Sequence, residues 1–131
     1  MLVVDASVVI TACLGADGFA GFPDEELVAP PLLWSEASSV LHQMQWRSAI
    51  SKELAALAAK RLDDAAIQMR RPPALRSEAW RVAGRLGWAR TYDAEYVALA
   101  LLLECRLMTI DQKLQRGAGH LVEIIGPTAA D

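Results

Sequence analysis

Asp93-Ala94-Glu95-Tyr96-Val97-Ala98-Leu99-Ala100-Leu101-Leu102-Leu103-Glu104-Cys105-Arg106-Leu107-Met108-Thr109-Ile110-Asp111 is the stretch on which the fold turns. From Asp93 to Glu104 it is apolar almost all round, the mark of a helix lying inside a core. Arg106 to Thr109 then reads as a short strand. Such a helix descends about 16 Å, at about 1.5 Å per residue. The strand climbs back about 13 Å, at about 3.3 Å per residue. Asp93 and Asp111 are therefore expected to meet again at one edge of a sheet.

Working outward, the pattern repeats. Met1 to Val4 is an apolar run ended by Asp5, as in a buried parallel strand. Ala6 to Leu14 follows as a helix, with Asp5 or Ser7 available as its cap. A Gly- and Asp-rich loop leads to Leu27–Ala29, a second strand stopped by Pro30 and Pro31. Pro31 suits the first turn of the next helix, whose Leu33, Ala37, Val40, Leu41 and Met44 form one face. Ser51 can cap a third helix presenting Leu54, Leu57, Ala58 and Leu62. Ala65 to Met69 reads as an edge strand or as the end of that helix. After Pro72 and Pro73, a helix from Leu75 to Trp88 turns Leu75, Ala79, Val82, Ala83 and Leu86 inward. Beyond Asp111, a helical turn to Gln115 and a strand over Leu121 to Ile125 complete the chain. Strands alternating with helices predict an α/β domain with a mainly parallel sheet, residues 1–131 forming a single unit.

Composition narrows the class. At 131 residues, 53% apolar and 22% charged, the chain is too apolar for a disordered segment. No apolar run approaches the about 18 residues of a membrane span. The start carries no basic leader, so a cytoplasmic protein is expected, with Cys13 and Cys105 as reduced, buried thiols. A net charge of -3 hides an uneven distribution. Residues 1–46 hold six acids and no Lys or Arg, whereas residues 47–116 hold all thirteen basic residues against eight acids. That asymmetry fits a cation-binding cleft beside a polyanion surface, or an ordinary solvated charged face.

The expected topology gathers the acids. Asp5 stands just past the first strand and Glu36 in the opening turns of the helix after the second. Asp93 and Asp111 bracket the buried helix and its strand. All four fall at the sheet edge where open α/β sheets bind ligands. Carboxylates so placed raise one another's pKa unless protons or a cation offset the repulsion. Oxygen donors without His or Cys select a hard ion, Mg²⁺ or Mn²⁺. With such an ion the natural chemistry is phosphodiester hydrolysis by an activated water.

These same residues resemble a known family. Val3-Val4-Asp5-Ala6-Ser7-Val8-Val9 is similar to the opening of PIN-domain nucleases. Trp34-Ser35-Glu36-Ala37-Ser38-Ser39-Val40-Leu41 resembles their second motif, and Thr91-Tyr92-Asp93-Ala94-Glu95-Tyr96-Val97-Ala98-Leu99-Ala100 is very close to the third. Leu107-Met108-Thr109-Ile110-Asp111 resembles the fourth. Order and size match the small VapC-type toxins. The resemblance implies a three-layer α/β/α domain with a central sheet of about five strands. It also implies a Mg²⁺-dependent endoribonuclease, a homodimer, and inhibition by a VapB-type antitoxin. Asp5, Glu36, Asp93 and Asp111 would be the acidic metal site, with Ser7 and Thr109 as hydroxyls beside it.

Each residue has a plainer reading. Asp5, Asp93 and Asp111 would each serve as a helix cap, and Glu36 would suit a first helical turn. Ser7 and Thr109 would simply bond to backbone. Arg81, Arg85 and Arg90 are candidates for RNA phosphate, or ordinary helix surface. Trp80 and Trp88 read as core or dimer residues, and His42 and His120 as structural or exposed. Asp17, Asp24, Glu25 and Glu26 read as solvated loop charges. The rival function is a catalytically silent PIN-like scaffold binding RNA or protein. A phosphoryl-transfer domain with Asp5 as nucleophile would want a second Asp where Ser7 stands.

Overall fold

The computed structural model describes residues 1–127. Five strands, β1 (Leu2–Val4), β2 (Leu27–Ala29), β3 (Ile67–Met69), β4 (Arg106–Met108) and β5 (Ile124–Ile125), form one sheet. All pairings are parallel, in the order β3-β2-β1-β4-β5. Six helices connect them: α1 (Ala6–Leu14), α2 (Leu32–Trp46), α3 (Lys52–Asp64), α4 (Leu75–Leu86), α5 (Tyr92–Leu103) and α6 (Gln112–Ala118). The order runs outward from β1 to β3, then crosses back to β4. Parallel crossovers are right-handed, so α1–α3 and the α4–α5 pair cover opposite faces. The packing agrees: α1, α2 and α3 contact one another, α4 packs on α5, and α5 lies on β1 and β4.

β1 and β4 are neighbours whose onward connections leave in opposite directions. Their shared carboxyl edge is therefore the topological switch point of the sheet. The register pairs Val4 with Met108, and Asp5 N–H donates to Met108 O at 3.2 Å. One step further along, Asp5 and Thr109 face each other. The core beneath is continuous: Val3, Val4, Leu107 and Met108 from the strands meet Tyr96, Val97 and Leu99 of α5, all fully buried.

Local signals behave as the sequence suggests at several points. Asp5 caps α1 through Val8 N–H, and Ser51 caps α3 through Leu54 N–H at 3.1 Å. Ile67–Met69 is indeed an edge strand. Arg61, unremarked in the sequence, reaches from α3 to donate to Cys13 O and Gly15 O at 2.9 and 3.2 Å, satisfying carbonyls at the end of α1.

Other expectations are corrected. α4 stops at Leu86 because Gly87 adopts a left-handed φ of 72°, and Trp88 N–H turns back to Ala83 O. Leu57 faces solvent and Ala55 takes the inward position on α3. The turn after Asp111 is a seven-residue helix. The last strand shrinks to Ile124–Ile125, because Leu121 and Val122 give their N–H groups to Ala118 O. Glu25 is not a solvated loop charge: it pairs with Arg106 and with the N-terminal ammonium. Cys13 is buried and Cys105 only partly so; both are free, and burial pushes both thiols up. Among the described residues no helix is long and apolar enough to cross a membrane.

Candidate active site

Asp5 is 6% exposed, an unusual place for a carboxylate. Ser7 Oγ donates to its Oδ1 at 2.6 Å, Val8 N–H donates to the same oxygen at 3.2 Å, and Thr109 Oγ1 donates to Oδ2. Behind these stand two backbone donors: Ile110 N–H to Ser7 Oγ at 3.2 Å and Asp111 N–H to Thr109 Oγ1 at 3.0 Å. Each hydroxyl has one proton to give. With Asp5 ionised, both go to the carboxylate, and the 3.2 Å approach of Ser7 to Thr109 carries none. The β1–β4 edge thus lines up relayed donors on one buried acid. Burial still wins, pushing the Asp5 pKa up despite those bonds, and the charge of Asp111 adds to the rise.

Glu36 is the fifth residue of α2, beyond the first turn, so helix-dipole compensation does not account for it. Tyr96 Oη, on the buried face of α5, donates to Glu36 Oε1 at 3.1 Å. Burial raises the Glu36 pKa; the Tyr96 bond opposes this, while the charges of Asp93, Asp5 and Glu95 add to it. The Tyr96 phenol is itself pushed well up, by burial and by Glu36. Tyr96 was read in the sequence only as part of an apolar run, and nothing in its neighbours announced a polar partner 60 positions away.

Asp93 is different again. Thr91 holds the cap position of α5 without a side-chain bond, and the Asp93 carboxylate accepts no hydrogen bond among the described residues. Capping does not explain it. Burial and the charge of Asp111 raise its pKa, and Lys113 partly offsets them. Asp111 does cap, accepting from Lys113 N–H at 2.9 Å and from Leu114 N–H at 3.4 Å. The plainer reading therefore holds for part of Asp5 and of Asp111, but not for Glu36 or Asp93.

Glu36 and Asp93 line a cleft of about 560 Å³ together with Trp88, Arg90, Tyr92 and Lys113. Arg90, a candidate from the sequence, stands at the acidic site; Lys113, which sequence reasoning passed over, joins it. Arg81 is committed elsewhere, its guanidinium forked onto Glu78 one turn back, and Arg85 lines neither this cleft nor the larger cavity described below. Trp88 is wedged against Gly117 of α6, where an added Cβ would stand 2.9 Å from its ring. It is packing, not a free stacking platform.

Partly desolvated oxygen-only donors are the donor chemistry of a hard divalent cation. Among the described residues no three Asp, Glu, His or Cys side chains already stand as a shared ligand cage. An ion that keeps most of its waters needs only one or two direct carboxylates, the rest acting through those waters.

Acidic residues from separate elements thus stand at the switch point of a parallel three-layer α/β/α sheet, the edge where such sheets bind ligands. The chain belongs to the PIN-domain family, whose model matches residues 3–121. Among curated relatives it is 34% identical over 116 residues to the VapC ribonuclease Mb0985 of Mycobacterium bovis and to ribonuclease VapC9 of Mycobacterium tuberculosis, covering 87% of this chain and 88% of each relative. The fold is shared with the crystal structure of PAE2754 from Pyrobaculum aerophilum, at a TM-score of 0.75 and 22% identity over 95% of this chain and 89% of that one. It is shared too with a structure of FitAB bound to an IR36 DNA fragment, at 0.67 and 12% identity over 100% and 98%.

Proposed function

We propose that this chain, acting as one PIN domain, is a Mg²⁺-dependent (or Mn²⁺-dependent) endoribonuclease of the VapC toxin type. The observation that carries the reading is Asp93: a half-buried carboxylate with no hydrogen-bond donor, facing a cleft it shares with Glu36. Lys113 offsets its charge only in part, so such a group costs stability and caps nothing in the fold. Asp5, Glu36, Asp93 and Asp111 would hold the cation. When bound, it would supply an activated water and neutralise a phosphate oxygen. The chain's own residues do the rest. Ser7 and Thr109 orient the two Asp5 oxygens, Tyr96 holds Glu36, and Arg90 and Lys113 meet the incoming phosphate.

The 34% identical relatives named as ribonucleases support RNA as substrate. With this reading go the partner and setting that the VapC-type resemblance implies: a VapB-type antitoxin, a homodimer and a cytoplasmic protein. A silent scaffold would have no use for a half-buried Asp93 that accepts no hydrogen bond and is offset only in part by Lys113. The deciding experiment incubates purified protein with RNA in Mg²⁺ and in EDTA. Cleavage in Mg²⁺ alone, lost in a folded Asp93→Asn variant, is the expected result. A well-folded protein that leaves RNA intact in Mg²⁺ would return the chain to the scaffold reading.

A further inference from the structure

Beside the acidic cleft lies a groove of about 920 Å³ whose walls include Arg71, Arg76, Trp80, Thr91 and Glu95. The first turn of α5 borders both: Thr91 and Glu95 line the groove, Tyr92 and Asp93 the cleft. Pro31, at the start of the helix that carries Glu36, also lines the groove. A chain passing through the acidic cleft therefore has an adjoining channel to follow.

Three features of this groove go unexplained by the fold. Trp80 is 76% exposed, although the rest of its helix buries Leu75, Ala79, Val82 and Ala83 in the core. Arg76 lies one helical turn before Trp80, on the same side of α4. The guanidinium groups of Arg71 and Arg76 make no hydrogen bond or ion pair among the described residues, whereas Arg81 on the next face is tied to Glu78. The one acid in the groove, Glu95, is half-buried, and the charge of Arg76 counters what burial does to it.

The geometry points to this groove as the seat of a single-stranded RNA segment flanking the cleaved phosphate, with an unpaired base stacked on Trp80 and backbone phosphate at Arg71 and Arg76. The inference rests on the ribonuclease reading for the identity of the polyanion. An exposed indole offers a sequence-tolerant face to any base, and free guanidinium groups suit phosphate bidentately. Charge selects this occupant over an apolar helix, which would cover Arg71 with no counter-charge and Arg76 with Glu95 alone.

The test measures binding of a fluorescein-labelled 12-nucleotide single-stranded RNA to full-length Asp93→Asn protein by anisotropy, across a salt series. Trp80→Ala in that background should weaken binding about five- to hundredfold and leave the salt slope unchanged, with Trp80→Phe recovering most of the loss. Arg76→Gln should flatten the slope of log K against log salt by about 0.7, one phosphate contact on a single strand. Binding unaltered by both substitutions overturns the proposal. So does a parent that binds no RNA, or a Trp80→Ala variant that binds normally but sediments as a smaller species, which would make the groove a protein interface. Cleavage by the parent chain in Mg²⁺ is measured in parallel. A parent that binds through Trp80 but never cuts removes the nuclease reading and leaves the groove standing. A parent that cuts, and binds no worse without Trp80 and Arg76, removes the groove alone.

Discussion

The acidic cleft and the basic groove share the first turn of α5 as a border and are built on opposite terms. The acidic side takes Glu36 and Asp93 as lining of the cleft, with Asp5 and Asp111 close enough to act on them electrostatically, and all of these but Asp93 accept hydrogen bonds. The groove takes its basic and aromatic side chains from one short stretch, Arg71 to Trp80, and leaves them exposed. Burial first, and the charges of neighbouring acids second, raise the pKa values of Asp5, Glu36 and Asp93. Rigid, desolvated acids are suited to chemistry at one phosphate; loose, solvated bases are suited to holding a strand in variable register. The contrast teaches which substitutions should alter turnover and which should alter binding.

The largest effect should come from the cleft. Asp93→Asn is expected to lower RNA cleavage about a hundredfold to a thousandfold or more, the scale on which one lost electrostatic stabiliser acts, with circular dichroism unchanged. Its effect should fall on kcat. Next, Tyr96→Phe removes only the hydroxyl that steadies Glu36, and should cost about ten- to hundredfold in activity or metal affinity. Because that bond lowers the Glu36 pKa, its loss should move the acid limb of the activity profile to higher pH; an unmoved limb would detach Tyr96 from the site. Groove variants Arg76→Gln and Trp80→Ala should instead raise KM by smaller factors and leave kcat alone. A fall in kcat equal to that in kcat/KM would erase the division between the two regions.

Stability provides a gentler test. The folded pKa values of Asp5, Glu36 and Asp93 lie above the ordinary carboxylate range of about 4. Folding therefore favours their protonated forms. The associated stability is fully present below the unfolded pKa values and is lost as pH rises through the folded ones. In EDTA the melting temperature should decline from pH 4 toward neutrality, and Mg²⁺ should restore it at neutral pH. Asp93→Asn should flatten the decline. A metal-free melting temperature that rises over the same interval would contradict the crowding of the acids. Smallest of all, Arg81→Ala should leave the melting temperature where it is and cost less RNA affinity than Arg76→Gln, since its partner Glu78 is a surface neighbour.

How much of this was legible beforehand depends on the kind of interaction. Four of the strands and the cap at Ser51 follow from short-range rules, because apolar runs and capping residues act within a few positions. Whether Ile67–Met69 is strand or helix end, and whether Asp5 or Ser7 caps the first helix, stayed open until the structure. The expectation that Asp93 and Asp111 lie at one sheet edge came from counting helix and strand lengths, and that for Asp5 and Glu36 from their positions after the first two strands. The extent of α6 was not readable, since Gln112–Ala118 has little apolar periodicity and relies on Asp111 as its cap. Nor was the commitment of Arg81 to Glu78 against the freedom of Arg76, because residues five positions apart on one helix face different neighbours.

The amino-acid order alone determined which acids exist, which elements carry them and that the sheet would present them together, because backbone geometry converts residue counts into distances. Only the tertiary structure decided that Tyr96 serves Glu36, that Ser7 and Thr109 serve Asp5, and that Asp93 is left without a donor. Those pairings span up to 104 positions and depend on the β1–β4 register and on how α5 lies across it. A hydrogen bond is a matter of ångströms, and such closeness between distant side chains is settled by packing.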